Sequence, residues 1–301
     1  MSSSDGSKCQ KIFIDFIEFF LFTGEKGKLK PDSGLFRVSI KSNVITLLAV
    51  LAENSTFHKS SLHELKVKDQ RFDEIFKFKN HEDQGLRCSI ILLCSSLLSN
   101  SDFSSICSSI LLNALRDSSA QVVCKTVQAI SKSTLSCHSI FVNSFDLISE
   151  LIRVSSDHSL YFATKVELIS FFSKIEWRWL PLISKYQEES VFDFMVAMIS
   201  SQDGRLRRPA CEAAPNIFNQ LFFPALRGKE ENRIISKLNL ELDSILDPSY
   251  AKCDSSMDYA VKYIFDRLLR TLTPHEIEGY SLALFNLYQT YPKVINCQKA
   301  I

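Results

Sequence analysis

Apolar residues recur at helical spacing in two consecutive runs within residues 188–223, and a short polar turn separates the runs. The apolar stripe of the first run consists of Val191, Phe192, Phe194, Met195, Met198 and Ile199. That of the second run consists of Leu206, Ala210, Ala213, Ala214, Ile217, Leu221 and Phe222. Each stripe covers one face of a helix, and neither helix could bury its stripe alone. The pattern therefore predicts two amphipathic helices that pack against each other as a hairpin.

The turn between the two predicted helices contains the string DGRLR at residues 203–207. Its aspartate can cap the second helix, and its glycine can adopt a positive φ. The same D-x-x-L-R pattern occurs at residues 83–87, and looser versions begin at Asp32, Asp117 and Asp157. The five aspartates are 51, 34, 40 and 46 residues apart along the chain. These distances bracket the period of HEAT and armadillo repeats, which is about 40 to 47 residues.

The recurrence of this hairpin predicts the fold class. Helical hairpins of this length stack so that each buries its apolar faces against its neighbours. We therefore expect an all-α fold, a HEAT-like α-solenoid in which about six helical hairpins form a superhelix. A plain helical bundle is the alternative, and the repeated turn string favours the solenoid.

The distribution of polar and apolar segments predicts the domain organisation. Residues 1–10 form a disordered lead, residues 11–226 the HEAT-like repeats, residues 227–255 an irregular polar connection, residues 256–292 a last helical hairpin, and residues 293–301 a tail. These boundaries follow the change from periodic apolar patterns to polar segments without a period.

Two prolines add detail to the predicted helices. Pro215 lies inside the second helix of the fifth hairpin and predicts a kink, because proline removes one internal hydrogen bond. Pro274 suits the first position of the last helix, with Thr273 before it as a candidate cap.

Composition and charge narrow the classes of function. Gly and Pro occur 8 times each in 301 residues, too rarely for the frequent turns of a β-sandwich. The net charge of +1 argues against a nucleic-acid groove, since phosphate binding needs a basic surface. Nine scattered cysteines without a C-x-x-C pair are typical of a reducing compartment. Because the sequence predicts neither a signal peptide nor a membrane span, we expect a cytoplasmic protein.

Catalytic and ligand-binding motifs are not found at the spacing that their chemistry needs. The run GEKGK at residues 24–28 lacks the spacing of a phosphate loop. His275 and Glu276 lack the second histidine, four residues after the first, that a helical zinc site needs. We therefore expect no catalytic residue, no cofactor and no metal, and we predict that the protein is not an enzyme.

Six segments of the sequence resemble, in the same order, segments of the huntingtin family. They are FFLFTGEKGKLKPDSGLFRVSIKSNVITLLAVLAENSTFHKSSL, NHEDQGLRCSIILLC, LLNALRDSSAQVVCKTVQAI, LYFATKVELISFFSKIEWRWLPLI, VFDFMVAMISSQDGRLRRPACEAA and MDYAVKYIFDRLLRTLTPHEIEGYSLALFNLYQTYPKVI, and together they span about residues 12–295. The resemblance is to the amino-terminal HEAT-repeat region. It implies a non-catalytic cytoplasmic scaffold, also present in the nucleus, that binds proteins of vesicle transport and autophagy and a huntingtin-associated helical protein.

The chain also departs from that family. It has no polyglutamine tract with a proline-rich segment after it, it is a small fraction of the family's length, and its loop at residues 186–190 looks shortened. We therefore transfer no functional residue, and further repeats of a longer chain are themselves candidate partners. An importin-like or coat-adaptor-like cargo receptor is the alternative function. An acidic inner face with ordered Asn or Trp ladders would favour that alternative, and the sequence shows neither at a regular spacing.

One cluster of residues is a candidate patch that faces partner proteins. Arg205, Arg207 and Arg208 lie together at the start of a predicted helix, and Trp177 and Trp179 lie at a helix junction. Arginine and tryptophan are enriched at the hot spots of protein interfaces. Two structural alternatives remain open: the arginines pair with acidic side chains of the neighbouring hairpin, and the tryptophans fill the seam between hairpins.

Overall fold

The structure, a computed structural model, describes Ile12, residues 15–17 and 19–22, Leu29, and residues 37–53, 71–136, 145–157, 159–175, 185–221 and 256–292. Within these ranges the regular structure is helical, and one isolated β-bridge joins Phe22 to Leu29. The all-α prediction is confirmed. None of the helices described is both long and apolar enough to cross a membrane. The predicted lead at residues 1–10, the connection at 227–255 and the tail at 293–301 lie outside the described residues.

The chain divides into two compact units, Met1–Glu150 and Leu151–Ile301. The helices that begin in the first unit are α1 (Val38–Glu53), α2 (Arg71–Phe76), the 3-10 helix η1 (Lys77–Asn80), α3 (Gln84–Leu97), α4 (Ser104–Ala114), α5 (Ala120–Ser136) and α6 (Phe145–Ser155). Those of the second unit are α7 (Phe162–Lys174), α8 (Lys185–Ile199), α9 (Gly204–Leu221), α10 (Ser256–Arg270) and α11 (Pro274–Thr290). Helices α8 and α9 are the two helices predicted to form the hairpin around DGRLR, and a turn of a few residues joins them.

Helix α3 is the centre of the first unit. It packs against α1, α5, η1 and α4. Its buried face includes Leu86, Ile90, Leu93, Cys94 and Leu97, all of them fully inaccessible to solvent. A helix acquires neighbours of this kind when successive helical hairpins stack on one another. The unit is therefore a stack of helical hairpins, the arrangement that HEAT-like repeats form.

Small hydroxyl side chains line the seams between stacked helices of the first unit. Where α1 meets α3, the hydroxyls of Ser42 and Ser89 lie 2.6 Å apart, and Ser89 also donates to the Gly85 carbonyl at 3.1 Å. Where α3 meets α5, the hydroxyls of Ser95 and Ser133 lie 2.7 Å apart. Small side chains allow two helices to approach closely, and these hydroxyls satisfy each other's hydrogen bonds in the seam. The seams are therefore tight without leaving these polar atoms unpaired.

Helix α9 has the corresponding central place in the second unit. It packs against α7, α8, α10 and α11, and α11 also contacts α8 and α10. An aromatic cluster joins three of these helices, because the ring of Phe192 in α8 lies 5.2 Å from that of Phe218 in α9 and 5.2 Å from that of Tyr263 in α10. Ring pairs at this separation add to the stability that burial alone gives. The second unit is thus also a stack of helical hairpins.

The structure corrects two details of the predicted turns. Gly204 is the first residue of α9 and does not have a positive φ, so the turn does not depend on glycine's conformational freedom. Thr273 does precede Pro274 at the start of α11, but its hydroxyl donates to the carboxylate of Glu276 and does not accept a backbone N–H. Pro215 lies inside α9, which continues without interruption to Leu221.

Candidate interaction surface

The D-x-x-L-R pattern has the same capping aspartate in both of its strict copies. Asp83 precedes α3, and its carboxylate accepts the backbone N–H of Leu86 at 2.8 Å. Asp203 precedes α9, and its carboxylate accepts the backbone N–H of Arg205 at 2.9 Å. An aspartate in this position satisfies N–H groups that have no partner in the first turn of a helix. The cap therefore fixes where each second helix begins.

The last arginine of each pattern folds back over the turn before its helix. Arg87 donates from Nη1 to the carbonyls of His81 and Glu82, at 2.8 and 2.9 Å. Arg207 donates from Nη1 to two turn carbonyls as well, those of Ser201 at 2.8 Å and Gln202 at 3.3 Å. The two turns are thus held in the same way, by a guanidinium that bonds the last carbonyls before the helix.

The remaining nitrogens of these two arginines reach an acidic residue of the next hairpin. Arg87 binds both carboxylate oxygens of Asp117, from Nε at 2.8 Å and from Nη2 at 2.9 Å. Arg207 donates from Nη2 to Glu278 of α11 at 2.6 Å. The side chain of Arg207 is only 11% exposed. We call these two residues the turn arginines; they join each turn to the neighbouring hairpin, which is the structural alternative left open for Arg207.

Arg205 differs from the turn arginines because it lies at the surface, with 73% of its side chain exposed. Its Nε and Nη2 bind the carboxylate of Asp203 at 3.1 and 2.8 Å, and its guanidinium carbon lies 4.2 Å from the ring centroid of Phe162. The hydrogen bond from Arg205 lowers the pKa of the Asp203 carboxyl, so this carboxylate is ionised at neutral pH. These contacts hold the guanidinium in one place, and its Nη1 has no bond to any described residue.

Two more exposed side chains belong with Arg205: one is next in sequence to its ring partner Phe162, and the other lies three residues after Arg205 in α9. Tyr161 immediately precedes Phe162, and 58% of it is exposed. Arg208 is 79% exposed, and its only described bond joins Nε to Glu212 at 3.3 Å, one turn further along α9. We call Tyr161, Arg205 and Arg208 the turn-edge surface. Sequence reasoning missed Tyr161 and Phe162, although the looser repeat DHSLYFATK placed them at the start of the second helix of the preceding hairpin.

Trp177 and Trp179, the other two residues of the predicted patch, lie outside the described residues. Of the predicted arginines, two are exposed and one is nearly buried in an ion pair within the chain. The candidate surface is therefore built around Arg205 and Arg208, and Arg207 stabilises the turn that precedes them.

The described residues do not include a group of three or more His, Cys, Asp or Glu side chains placed to hold a metal ion. The five described cysteines are thiols rather than disulfides: Cys88, Cys94, Cys107, Cys124 and Cys211. Burial raises the pKa of the Cys94 thiol well above its usual value and that of Cys211 to about 12. These two thiols are protonated at neutral pH, and a protonated thiol is a poor nucleophile.

Comparison with known proteins finds relatives of similar sequence. One of them is huntingtin from Takifugu rubripes, which is 22% identical to this chain over 264 residues; the match covers 70% of this chain and 8% of that protein. This chain is similar to huntingtin. The predicted resemblance to huntingtin is thereby confirmed, and the chain spans about 8% of the length of the relative it matches. No family model matches the chain.

Two solved structures of repeat or engineered proteins are also similar in outline. One is an engineered protein, Northeast Structural Genomics Consortium target OR329, at a TM-score of 0.45 and 12% identity, covering 85% of this chain and 93% of that one. The other is the designed armadillo repeat protein YIII(Dq)4CqI, at a TM-score of 0.42 and 12% identity, covering 83% and 94%. At TM-scores this low the likeness adds nothing to what the helices themselves show.

Proposed function

We propose that this chain is a non-catalytic, huntingtin-like scaffold that binds partner proteins through the turn-edge surface. The observation that carries the proposal is the position of Arg205, which is exposed and yet held by Asp203 and by the ring of Phe162. A side chain that is fixed before binding loses little conformational entropy when a partner arrives. Arginine and tyrosine are also the residue types found most often, with tryptophan, at interface hot spots.

The turn arginines support this proposal by making the surface rigid. Arg207 connects the turn at Ser201 and Gln202 to Glu278 of α11, so the first turn of α9 is tied to the next hairpin. Arg205 and Arg208 belong to that same stretch of α9. A surface on regular helices with tied turns keeps its shape better than one on a long loop.

The nature of the partners comes from the similarity to huntingtin. We propose that they include a huntingtin-associated helical protein and proteins of vesicle transport and autophagy, and that the chain works in the cytoplasm and also in the nucleus. The matched region is a small part of huntingtin, so these partners are proposed for this chain from similarity alone.

The alternative of a cargo receptor has no specific observation in its favour. In the described residues, the polar side chains that bridge α1, α3 and α5 include the serine pairs Ser42 with Ser89 and Ser95 with Ser133, together with Thr46, Glu53 and Lys132. A receptor groove of the importin kind would instead need ordered Asn or Trp ladders. We therefore retain the scaffold as the proposed function.

Reversal of the two exposed charges tests the proposal. The full chain and its Arg205→Glu/Arg208→Glu variant are compared for capture of the huntingtin-associated helical protein. Arg270→Glu, at an exposed position at the end of α10, serves as the control. We expect the double variant to bind roughly tenfold more weakly with an unchanged melting temperature, and the control to bind as the unmodified chain does. Equal binding by all three proteins would remove the turn-edge surface from the proposal. Absence of binding by the unmodified chain would contradict the choice of partner.

A further inference from the structure

A pocket of about 270 Å³ lies in the first unit, between η1, α3, α4 and α5. Its floor is apolar and consists of Ile90, Ile91, Ile110 and Val122, none of which is more than 3% exposed. We call it the η1–α4 pocket. Ligand pockets in proteins have about this volume at the small end of their range, and most of them combine an apolar floor with a few polar groups.

The polar groups of the η1–α4 pocket lie at its rim. Lys79 and Asn80 come from the end of η1, and Asn113 comes from the end of α4. None of these three side chains bonds to another described residue, so their donors are available to a ligand. Amide and ammonium groups together can hold a carboxylate by several hydrogen bonds at once.

The charge of the pocket is positive. Its wall contains the turn arginine Arg87 and its partner Asp117. Arg87 occupies both carboxylate oxygens of Asp117, at 2.8 and 2.9 Å, so the single acidic group of the lining is already neutralised. Lys79 is then the one charge of the lining that has no described counter-ion, and it favours an anionic ligand.

The other turn arginine has a different neighbour. Arg207 lies beside Gly279 of α11, and a methyl group added at Gly279 would lie 1.9 Å from the carbonyl oxygen of Ile199. Helix α11 therefore packs directly against the end of α8 beside this turn arginine.

We propose that the η1–α4 pocket binds the carboxyl-terminal residue of a partner protein when that residue has an aliphatic side chain. One such residue carries both groups that the pocket matches: a side chain for the isoleucine floor, and a terminal carboxylate for Lys79 and the two asparagines. Carboxyl termini are a recurrent target of protein recognition, and a pocket of this volume accommodates a single large residue. The inference rests on the proposed scaffold function and names the chemistry of one class of partner.

Binding of a short fluorescent peptide to the full chain tests this inference by fluorescence anisotropy. The peptide ends in leucine with a free carboxylate, and the comparison peptides end in leucine carboxamide or in serine. We expect saturable binding of the free acid with a Kd below about 1 mM, and roughly tenfold weaker binding of both comparison peptides. Equal binding of acid and carboxamide, or no binding of the acid in this range, would overturn the proposal.

Two variants locate the binding. Lys79→Glu should weaken binding of the leucine acid roughly tenfold, and Ala114→Leu, which fills the rim of the pocket, should do the same. Lys77→Glu is the matched control, because Lys77 lies on the same short helix, is 64% exposed and does not line the pocket. If Lys77→Glu weakens binding as much as Lys79→Glu, the pocket is not the binding site.

The result of the peptide-binding test can be distinguished from the result of the partner-capture test for the proposed function. The Arg205→Glu/Arg208→Glu variant should bind the leucine acid as tightly as the unmodified chain. If the peptide fails to bind while the turn-edge surface still captures its partner, only the pocket inference is lost.

Discussion

The side-chain amide of Asn286 donates to the backbone carbonyl of Cys211 at 2.9 Å. In an uninterrupted helix the Cys211 carbonyl would accept the N–H of the residue four positions later, and in α9 that residue is Pro215, which has no N–H. Asn286 lies on α11, so the hydrogen bond that the proline removes from α9 is replaced from the next hairpin. This replacement lets α9 continue through Pro215 without leaving a buried carbonyl unpaired.

The first prediction concerns this pair. Asn286→Ala should lower the free energy of unfolding by about 1 to 2 kcal/mol, because it leaves the Cys211 carbonyl without a donor. In a Pro215→Ala background the loss should be clearly smaller, since alanine restores the missing N–H within the helix. Denaturant unfolding of the four proteins of this cycle measures the coupling. An equal loss in both backgrounds would show that Asn286 does not compensate for the proline.

The second prediction concerns the close approach of α11 to α8 in the second unit. Gly279→Ala would place a Cβ 1.9 Å from the carbonyl oxygen of Ile199, so α11 must move away from α8. We expect a loss of about 3 kcal/mol or more in the free energy of unfolding. Gly204→Ala is the control, because its Cβ would lie 3.7 Å from the nearest atom, on Arg207, which is an ordinary contact. A similar effect of both substitutions on the melting temperature would contradict the close approach.

The third prediction separates a turn arginine from an exposed one. Arg207→Met removes the bonds to two turn carbonyls and to Glu278, and should cost about 2 kcal/mol of stability. Arg205→Met removes contacts that are largely exposed to solvent, and should lower the stability clearly less than Arg207→Met does. Thermal unfolding of the two variants shows which substitution lowers the stability more. If Arg205→Met is the more damaging, the division between supporting and partner-facing arginines is wrong.

The fourth prediction concerns thiol reactivity. Because burial raises the pKa of Cys211 to about 12, only about one thiol in ten thousand is ionised at pH 8, and alkylation requires the thiolate. Mass spectrometry after brief treatment with iodoacetamide should find Cys211 unmodified in the folded protein and modified after unfolding. Cys124, which is half-buried, should react faster. Rapid labelling of Cys211 in the folded protein would show that α9 and α11 separate readily.

The sequence was sufficient to predict the helices because their apolar stripes are local, and the same holds for the capping aspartates. Asp83 and Asp203 do cap helices as expected. Asp117 and Asp157 do not: each accepts the N–H of the serine two residues later, before the helix begins. The looser copies of the turn string are therefore out of register with the strict ones, a difference that spacing along the chain does not reveal.

The partners of these residues could not be predicted, since they are distant in sequence. Arg207 and Glu278 are 71 residues apart, and Asn286 and Cys211 are 75 residues apart. No local pattern indicates which acid meets which arginine, because that depends on how the hairpins stack. The contact of Arg205 with Phe162 is missed for the same reason. What the sequence does predict is that arginines gather at this turn, and the structure divides them into buried and exposed members.

Amide hydrogen exchange of the full chain, with and without the huntingtin-associated helical protein, tests most directly whether partners bind at the turn-edge surface. The account predicts that the partner slows exchange in the turns at residues 159–161 and 201–205, which contain Tyr161 and Arg205 of the turn-edge surface. The cores of α3 and α9 should exchange as slowly without the partner as with it. Protection confined to other parts of the chain, with these two turns unchanged, would contradict the account.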